Sequence, residues 1–217
     1  RAFYVAFDFI EPDLNLRDEL FSFYQEQIGG FYDTDTQIMN VILLSGREPG
    51  RFLPFLERIV YAHEYVHALQ DQYFDLDTLL EGIDPEENGD QALATLALIE
   101  GDASHVMNTY TVLVAEANPI GTLLQLGQGI TSSPQSLTIP ETTPDIVANE
   151  LLWPYTAGEI WVRFLRQEGG WEAVNAAYSN PPVSSEQIMQ PERYLAGDMP
   201  QTVTVTSNLD LLGAGWS

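Results

Sequence analysis

One run of apolar residues constrains this chain more than any other feature. Phe55, Ile59, Ala62, Val66, Leu69 and Tyr73 recur at steps of four and three across residues 52–74. That spacing predicts an amphipathic helix with one stripe turned toward a core. Within it stands His63-Glu64-Tyr65-Val66-His67. Residues four apart differ by about 40° around a helix axis, so both imidazoles leave the same flank and can share one ion. The pattern is that of a two-histidine zinc site in which Glu64, on the edge of the same flank, reaches a water without binding the metal.

A zinc ion that does chemistry takes three protein ligands and keeps one position open. The third candidate is Glu100, in Ala97-Leu98-Ile99-Glu100-Gly101-Asp102-Ala103. It is a carboxylate inside an otherwise apolar helix, where an unpaired charge is strongly disfavoured. Ala94, Ala97, Gly101 and Ala103 around it are small and would let two helices approach. Gly101 costs about 1 kcal/mol relative to Ala inside a helix, and close approach to the histidine helix is the expected reason for it. His105 and Asp102 lie at other helical phases and are not expected to ligate. If either closed the site, the ion would be structural instead. Asp71, one turn after His67, is a candidate to orient a ligand histidine or hold the glutamate helix.

The chain carries 32 acidic residues against 8 basic ones, all arginine, for a formal charge of −24. Such a chain repels phosphate backbones, so nucleic acid is excluded as an expected partner. There is no Cys, which removes thiolate ligands and a cysteine nucleophile. No apolar run reaches the roughly 18 residues that a membrane span needs. Because the sequence opens on Arg1, a removed signal or anchor segment and an extracellular or cell-surface setting are expected.

Elsewhere the patterns are coarser. Residues 1–11 are apolar and aromatic and read as a strand. Residues 13–28 read as a helix stopped by Gly29-Gly30. A turn over Phe31–Thr36 leads into a strand at 37–44, together a hairpin. Residues 75–90 form an acidic linker without the spacing of an EF-hand calcium loop. Residues 91–117 predict a helix apolar on nearly every face, hence buried. Residues 118–143, rich in Gly, Pro, Ser and Thr, read as irregular. Helices are expected at 144–168 and 170–178, with Pro154 starting or kinking a segment, and a short strand at Val203 and Val205. The class is α+β and mostly helical, in one domain: a sheet-containing part (1–50), the zinc-binding helices (51–117) and a mostly helical C-terminal part (118–217).

His63-Glu64-x-x-His67 followed by a glutamate helix resembles the gluzincins, the thermolysin-like branch of zinc peptidases, although the 32 residues between His67 and Glu100 form a longer gap than in thermolysin. More specifically, the chain resembles a family of bacterial metallopeptidases that pair a HExxHALQDQ stretch (here 63–72) with an ALxEGDA stretch (here 97–103). The likeness extends to Gly30-Phe31-Tyr32-Asp33, Pro154-Tyr155-Thr156-Ala157-Gly158, Pro182-x-Ser184-x-Glu186-Gln187 and Pro191-Glu192-x-Tyr194. Family members carry His before that last Pro-Glu, where this chain has Gln190. The resemblance implies a zincin-like fold and hydrolysis of a peptide or protein substrate lying along strand 37–44. It implies Glu64 as general base, and Tyr155 or Tyr194 as the hydroxyl that holds the oxyanion. The alternative is a latent or inactive zinc-binding protein of the same fold.

Overall fold

The computed structural model describes residues 2–27, 29–43, 50–84, 88–132, 143–201 and 203. Nine helices and one two-stranded antiparallel sheet make up the described residues. They run α1 (Ala2–Ala6), α2 (Leu16–Gln27), β1 (Gly30–Asp33), β2 (Ile38–Val41), α3 (Phe55–Phe74), α4 (Leu76–Glu81), α5 (Gly89–Ala117), α6 (Pro119–Ser132), α7 (Asp145–Ser179), α8 (Ser185–Met189) and α9 (Pro191–Leu195). The mostly helical α+β class is therefore what the chain adopts.

The core lies where α5 crosses α7. Ala94, Ala97 and Leu98 of α5 and Trp161, Val162 and Leu165 of α7 have at most 1% of their surface exposed. The crossing is as close as backbones allow. A Cβ on Gly101 would overlap the backbone of Gly158, and one on Gly158 would overlap the carbonyl of Ala97. Gly101 thus serves approach to α7, not to the histidine helix as expected. It follows Glu100 by about 100° around the axis and so faces another neighbour.

Both expected long helices form, α3 with its first turn at Phe55 and α5 from Gly89. The pair expected at 144–168 and 170–178 is α7, broken at Gly169 and Gly170, where Gly170 takes φ 68°. Pro154 sits within α7 and starts no new helix.

Four local readings are corrected. Of the strand expected over residues 1–11, residues 2–11 form none: Ala2–Ala6 is helical, and the backbone pairs with itself through Phe7 N–H to Phe3 O (3.1 Å) and Phe9 N–H to Tyr4 O (2.8 Å). With no neighbouring strand among the described residues, local bonds satisfy these groups. Phe31–Asp33 is strand instead of turn, paired Gly30 to Val41 and Asp33 to Ile38. β2 is accordingly shorter than 37–44, and Leu44 lies outside the described residues. Within 118–143, Pro119–Ser132 is helical. Asn118 caps it by accepting the Gly121 N–H at 3.0 Å, and Pro119 fits the first helical position; residues 133–142 lie outside the described residues. In the acidic linker, Asp75 adopts φ 56° and caps α4 by accepting from the Thr78 N–H and hydroxyl.

The expected core stripe of α3 is only half core. Phe55 and Val66 are buried, but Leu69 is 37% and Tyr73 78% exposed, because a cavity, not a packed neighbour, faces that flank. At the tail, Val203 is irregular and Val205 lies outside the described residues.

Candidate metal centre

Helix α3 delivers His63 and His67 one turn apart, and α5 brings Glu100 against them. His63 Nε2 stands 3.0 Å from His67 Nε2 and 3.1 Å from Glu100 Oε2, and His67 Nε2 stands 3.4 Å from the same oxygen. Two ligands held about 2.0–2.1 Å from a tetrahedral zinc are roughly 3.3 Å apart. The three atoms therefore already form a triangle of the size that one face of such a site requires. Among the described residues, these three form the one group that could hold a metal ion.

The tautomer of His67 follows from its neighbours. The side-chain Nε2 of Gln70 donates to the Ile99 carbonyl (3.0 Å) and to Asp102 Oδ2 (3.0 Å). Its Oε1 must then be the acceptor that faces His67 Nδ1 at 2.9 Å. His67 therefore keeps a proton on Nδ1, so that Nε2, which faces Glu100 and His63, is the nitrogen left to ligate a metal once its own proton is lost. Asp102 Oδ2 also accepts from the Tyr178 hydroxyl at 2.9 Å, and Tyr178 stacks on Phe74 with ring centroids 4.0 Å apart. A relay of Tyr178, Asp102 and Gln70 thus spans α7, α5 and α3 and fixes one candidate ligand. Nδ1 of His63 is buried without a partner.

The electrostatics of the group are mutual. Burial pushes the Glu100 carboxyl up, but hydrogen bonds and charge from His63 and His67 outweigh it and hold the pKa at about 2. Burial pushes His67 down, yet the bond and charge of Glu100 raise it overall. Glu64 is raised, mainly by burial, against the opposing pull of both histidines. Burial likewise raises Asp102, partly countered by Gln70 and Tyr178.

The hairpin lies over Glu64. The Glu64 carboxylate accepts a backbone hydrogen bond from Tyr32. A Cβ on Gly30 would come within 2.8 Å of Val60 Cγ1 and 3.3 Å of Glu64 Cγ, so β1 needs glycine there. Asp71 accepts from the Tyr32 hydroxyl at 2.9 Å. It joins α3 to the hairpin; the orienting bond expected of it toward a ligand histidine is made by Gln70.

The two tyrosine candidates separate. The Tyr155 ring stacks on His63 with centroids 5.9 Å apart. The Tyr194 hydroxyl donates to the Asn180 carbonyl at 2.8 Å, with its ring edge-on to Trp161. Gln190 is exposed and accepts from Arg193 Nε at 2.8 Å. His105 is engaged elsewhere: Nδ1 meets Glu159 at 3.1 Å, and Nε2 accepts from Arg166 at 2.9 Å. Of the residues missed in the sequence, Gln70 and Asp102 fall inside the two matched stretches, 63–72 and 97–103, so the signal lay in the flanks of the motifs. Tyr178 lies in neither.

Among the described residues, no helix is long and apolar enough to cross a membrane. Neither a family model, nor a curated protein, nor a solved structure matches this chain.

Proposed function

We propose that the chain is a zinc peptidase of zincin-like fold, with His63, His67 and Glu100 as ligands and Glu64 as general base. One observation carries the reading: three ligand atoms converge at tetrahedral spacing while Gln70 commits His67 to the ligating tautomer. Two imidazoles and one carboxylate are a donor set suited to zinc, and they leave a fourth position open. A structural site would need a fourth protein ligand, and the two candidates weighed from the sequence, His105 and Asp102, are bonded to other partners.

Zinc held there supplies Lewis acidity, making a nucleophile of water near neutral pH and polarising the scissile carbonyl. Glu64 takes the proton from the attacking water and delivers it to the leaving amine. Its raised pKa suits both halves of that transfer. The Tyr155 ring against His63 supports Tyr155 as the hydroxyl that donates to the developing oxyanion. β2 pairs on one side only among the described residues, so its other edge offers main-chain groups to an extended peptide.

The test is metal content together with cleavage of a mixed peptide library, in wild type and Glu64→Gln. One zinc in both proteins, with cleavage by wild type only, is the expected result. Zinc in both without cleavage in either would favour the inactive alternative, which the replacement of the family histidine by Gln190 motivates. A wild type without zinc would overturn the reading.

A further inference from the structure

Away from the ligand flank of α3, Tyr61, Tyr65, Leu69 and Tyr73 occupy successive turns, a rise of about 18 Å. They are 39%, 48%, 37% and 78% exposed, although large and apolar or aromatic. They form one wall of a cavity of about 1150 Å³, faced by Val106 and Tyr110 of α5 and by Trp171 of α7. A contiguous apolar surface of this kind marks a binding site more often than a free surface.

The cavity is electrically polarised along its length. At one end stand Arg51 and Arg58, their guanidinium carbons 5.6 Å and 5.7 Å from the ring centroids of Phe52 and Phe55. Among the described residues neither pairs with a carboxylate, although acidic residues outnumber arginines 32 to 8; Arg163 and Arg193, by contrast, are both paired. Nε of Arg58 is buried with no partner, an arrangement that an anion would relieve. Toward the other end lies Asp102, the sole carboxylate among the lining residues, beside Gln70. Gln70 is twelve residues from Arg58, again about 18 Å along the helix. An anionic head is therefore attracted to the arginine end and repelled from the other.

We propose that this groove binds an elongated amphipathic anion, a long-chain carboxylate, with its head at Arg58 and Arg51 and its chain along Tyr61, Tyr65 and Leu69. The carboxylate takes guanidinium N–H groups, Arg58 Nε among them, as charge-assisted hydrogen bonds. The chain covers the apolar wall that α3 leaves exposed. The groove holds none of the candidate ligands, touches the metal centre only through Gln70 and Asp102, and does not depend on the peptidase reading.

Calorimetric titration of the full chain with dodecanoate below its micelle threshold tests this, with dodecanol as the uncharged chain of equal length. The expected result is one dodecanoate per chain, bound at least about tenfold more tightly than dodecanol, the ratio that one charge-assisted bond supplies. Arg58→Gln is expected to remove that preference while dodecanol still binds, which shows the groove intact. Leu69→Trp, which fills the groove, is expected to abolish both. Equal binding of dodecanoate and dodecanol, no effect of Arg58→Gln, or no binding of dodecanoate would each overturn the proposal. So would binding of a capped apolar peptide with no response to dodecanoate, which would assign the groove to a peptide partner.

Discussion

Gln70 Oε1 lies 2.9 Å from His67 Nδ1, and the other atoms of that amide leave it no choice of role. Partners of this kind set both the tautomer and the ring orientation of a ligand. Their loss typically lowers metal affinity by about 10- to 100-fold. Gln70→Leu should therefore weaken zinc binding by roughly that factor in a chelator competition. Asp71→Asn, whose change falls on the Tyr32 contact instead, should leave zinc affinity within about threefold of wild type, the ordinary spread of such contributions near a site. Equal losses for both variants would show that the relay does not orient the ligand.

The crossing of α5 and α7 makes a second expectation. Gly101→Ala places a methyl into the Gly158 backbone, which cannot yield as a side-chain end can. Overpacking costs about 1–3 kcal/mol even where side chains adjust, so a loss at or above the top of that range is expected in urea unfolding. Gly82→Ala is the control. Nothing stands within 4 Å of the added carbon, and its φ of −74° suits any residue. It should be neutral or stabilising by a few tenths of a kcal/mol, as roughly expected for such sites.

Glu64 gives a pH-dependent prediction. Burial raises its folded pKa above the unfolded value of 4.5. A carboxyl shifted in that direction contributes stability below the unfolded pKa and loses it as pH rises through the folded one. In zinc-free protein, Glu64→Gln should raise Tm at pH 7, where the buried charge is otherwise present, and have little effect at pH 4. The gain expected is about 2–4 °C, the shift that roughly 1 kcal/mol produces in a chain of this size. Glu100 has the opposite sign: held at about 2, it contributes stability above pH 4.5 that is lost as pH falls toward 2. Glu100→Gln should therefore destabilise zinc-free protein at pH 7 and lose that effect near pH 2. A thermal scan of each variant across pH 2–8 separates the two carboxyls.

The candidate ligands were legible in the sequence because each depends on helical phase, which is local. His63 and His67 share a flank by their spacing, and Glu100 stands out as a charge in an apolar helix. What surrounds them was not legible, because it is assembled from distant residues: Tyr178 and Asp102 are 76 positions apart. Helical phase also excluded Asp102 as a ligand without revealing that it reaches Gln70. Local misreadings had local causes. The aromatic run Phe3-Tyr4-Val5 favours strands by propensity, but a strand needs a neighbour and this segment has none among the described residues. The Gly- and Thr-bearing stretch after Asn118 hid a capped helix start. Leu69 and Tyr73 fit the core stripe by spacing alone, and periodicity cannot tell a packed neighbour from a cavity.

Tyr155 and Tyr194 were indistinguishable in sequence, and their surroundings now assign them different tests. Tyr155→Phe keeps the ring on His63 and removes only the hydroxyl. If that hydroxyl holds the oxyanion, kcat should fall by about 10²–10³ with zinc content unchanged, the loss typical of one such donor. Tyr194→Phe removes the bond to the Asn180 carbonyl. It should cost about 1 kcal/mol of stability and leave kcat near the wild-type value. Steady-state kinetics and thermal unfolding on the two variants decide the matter. A kcat loss confined to Tyr194→Phe would move the oxyanion role to the α9 end of the chain.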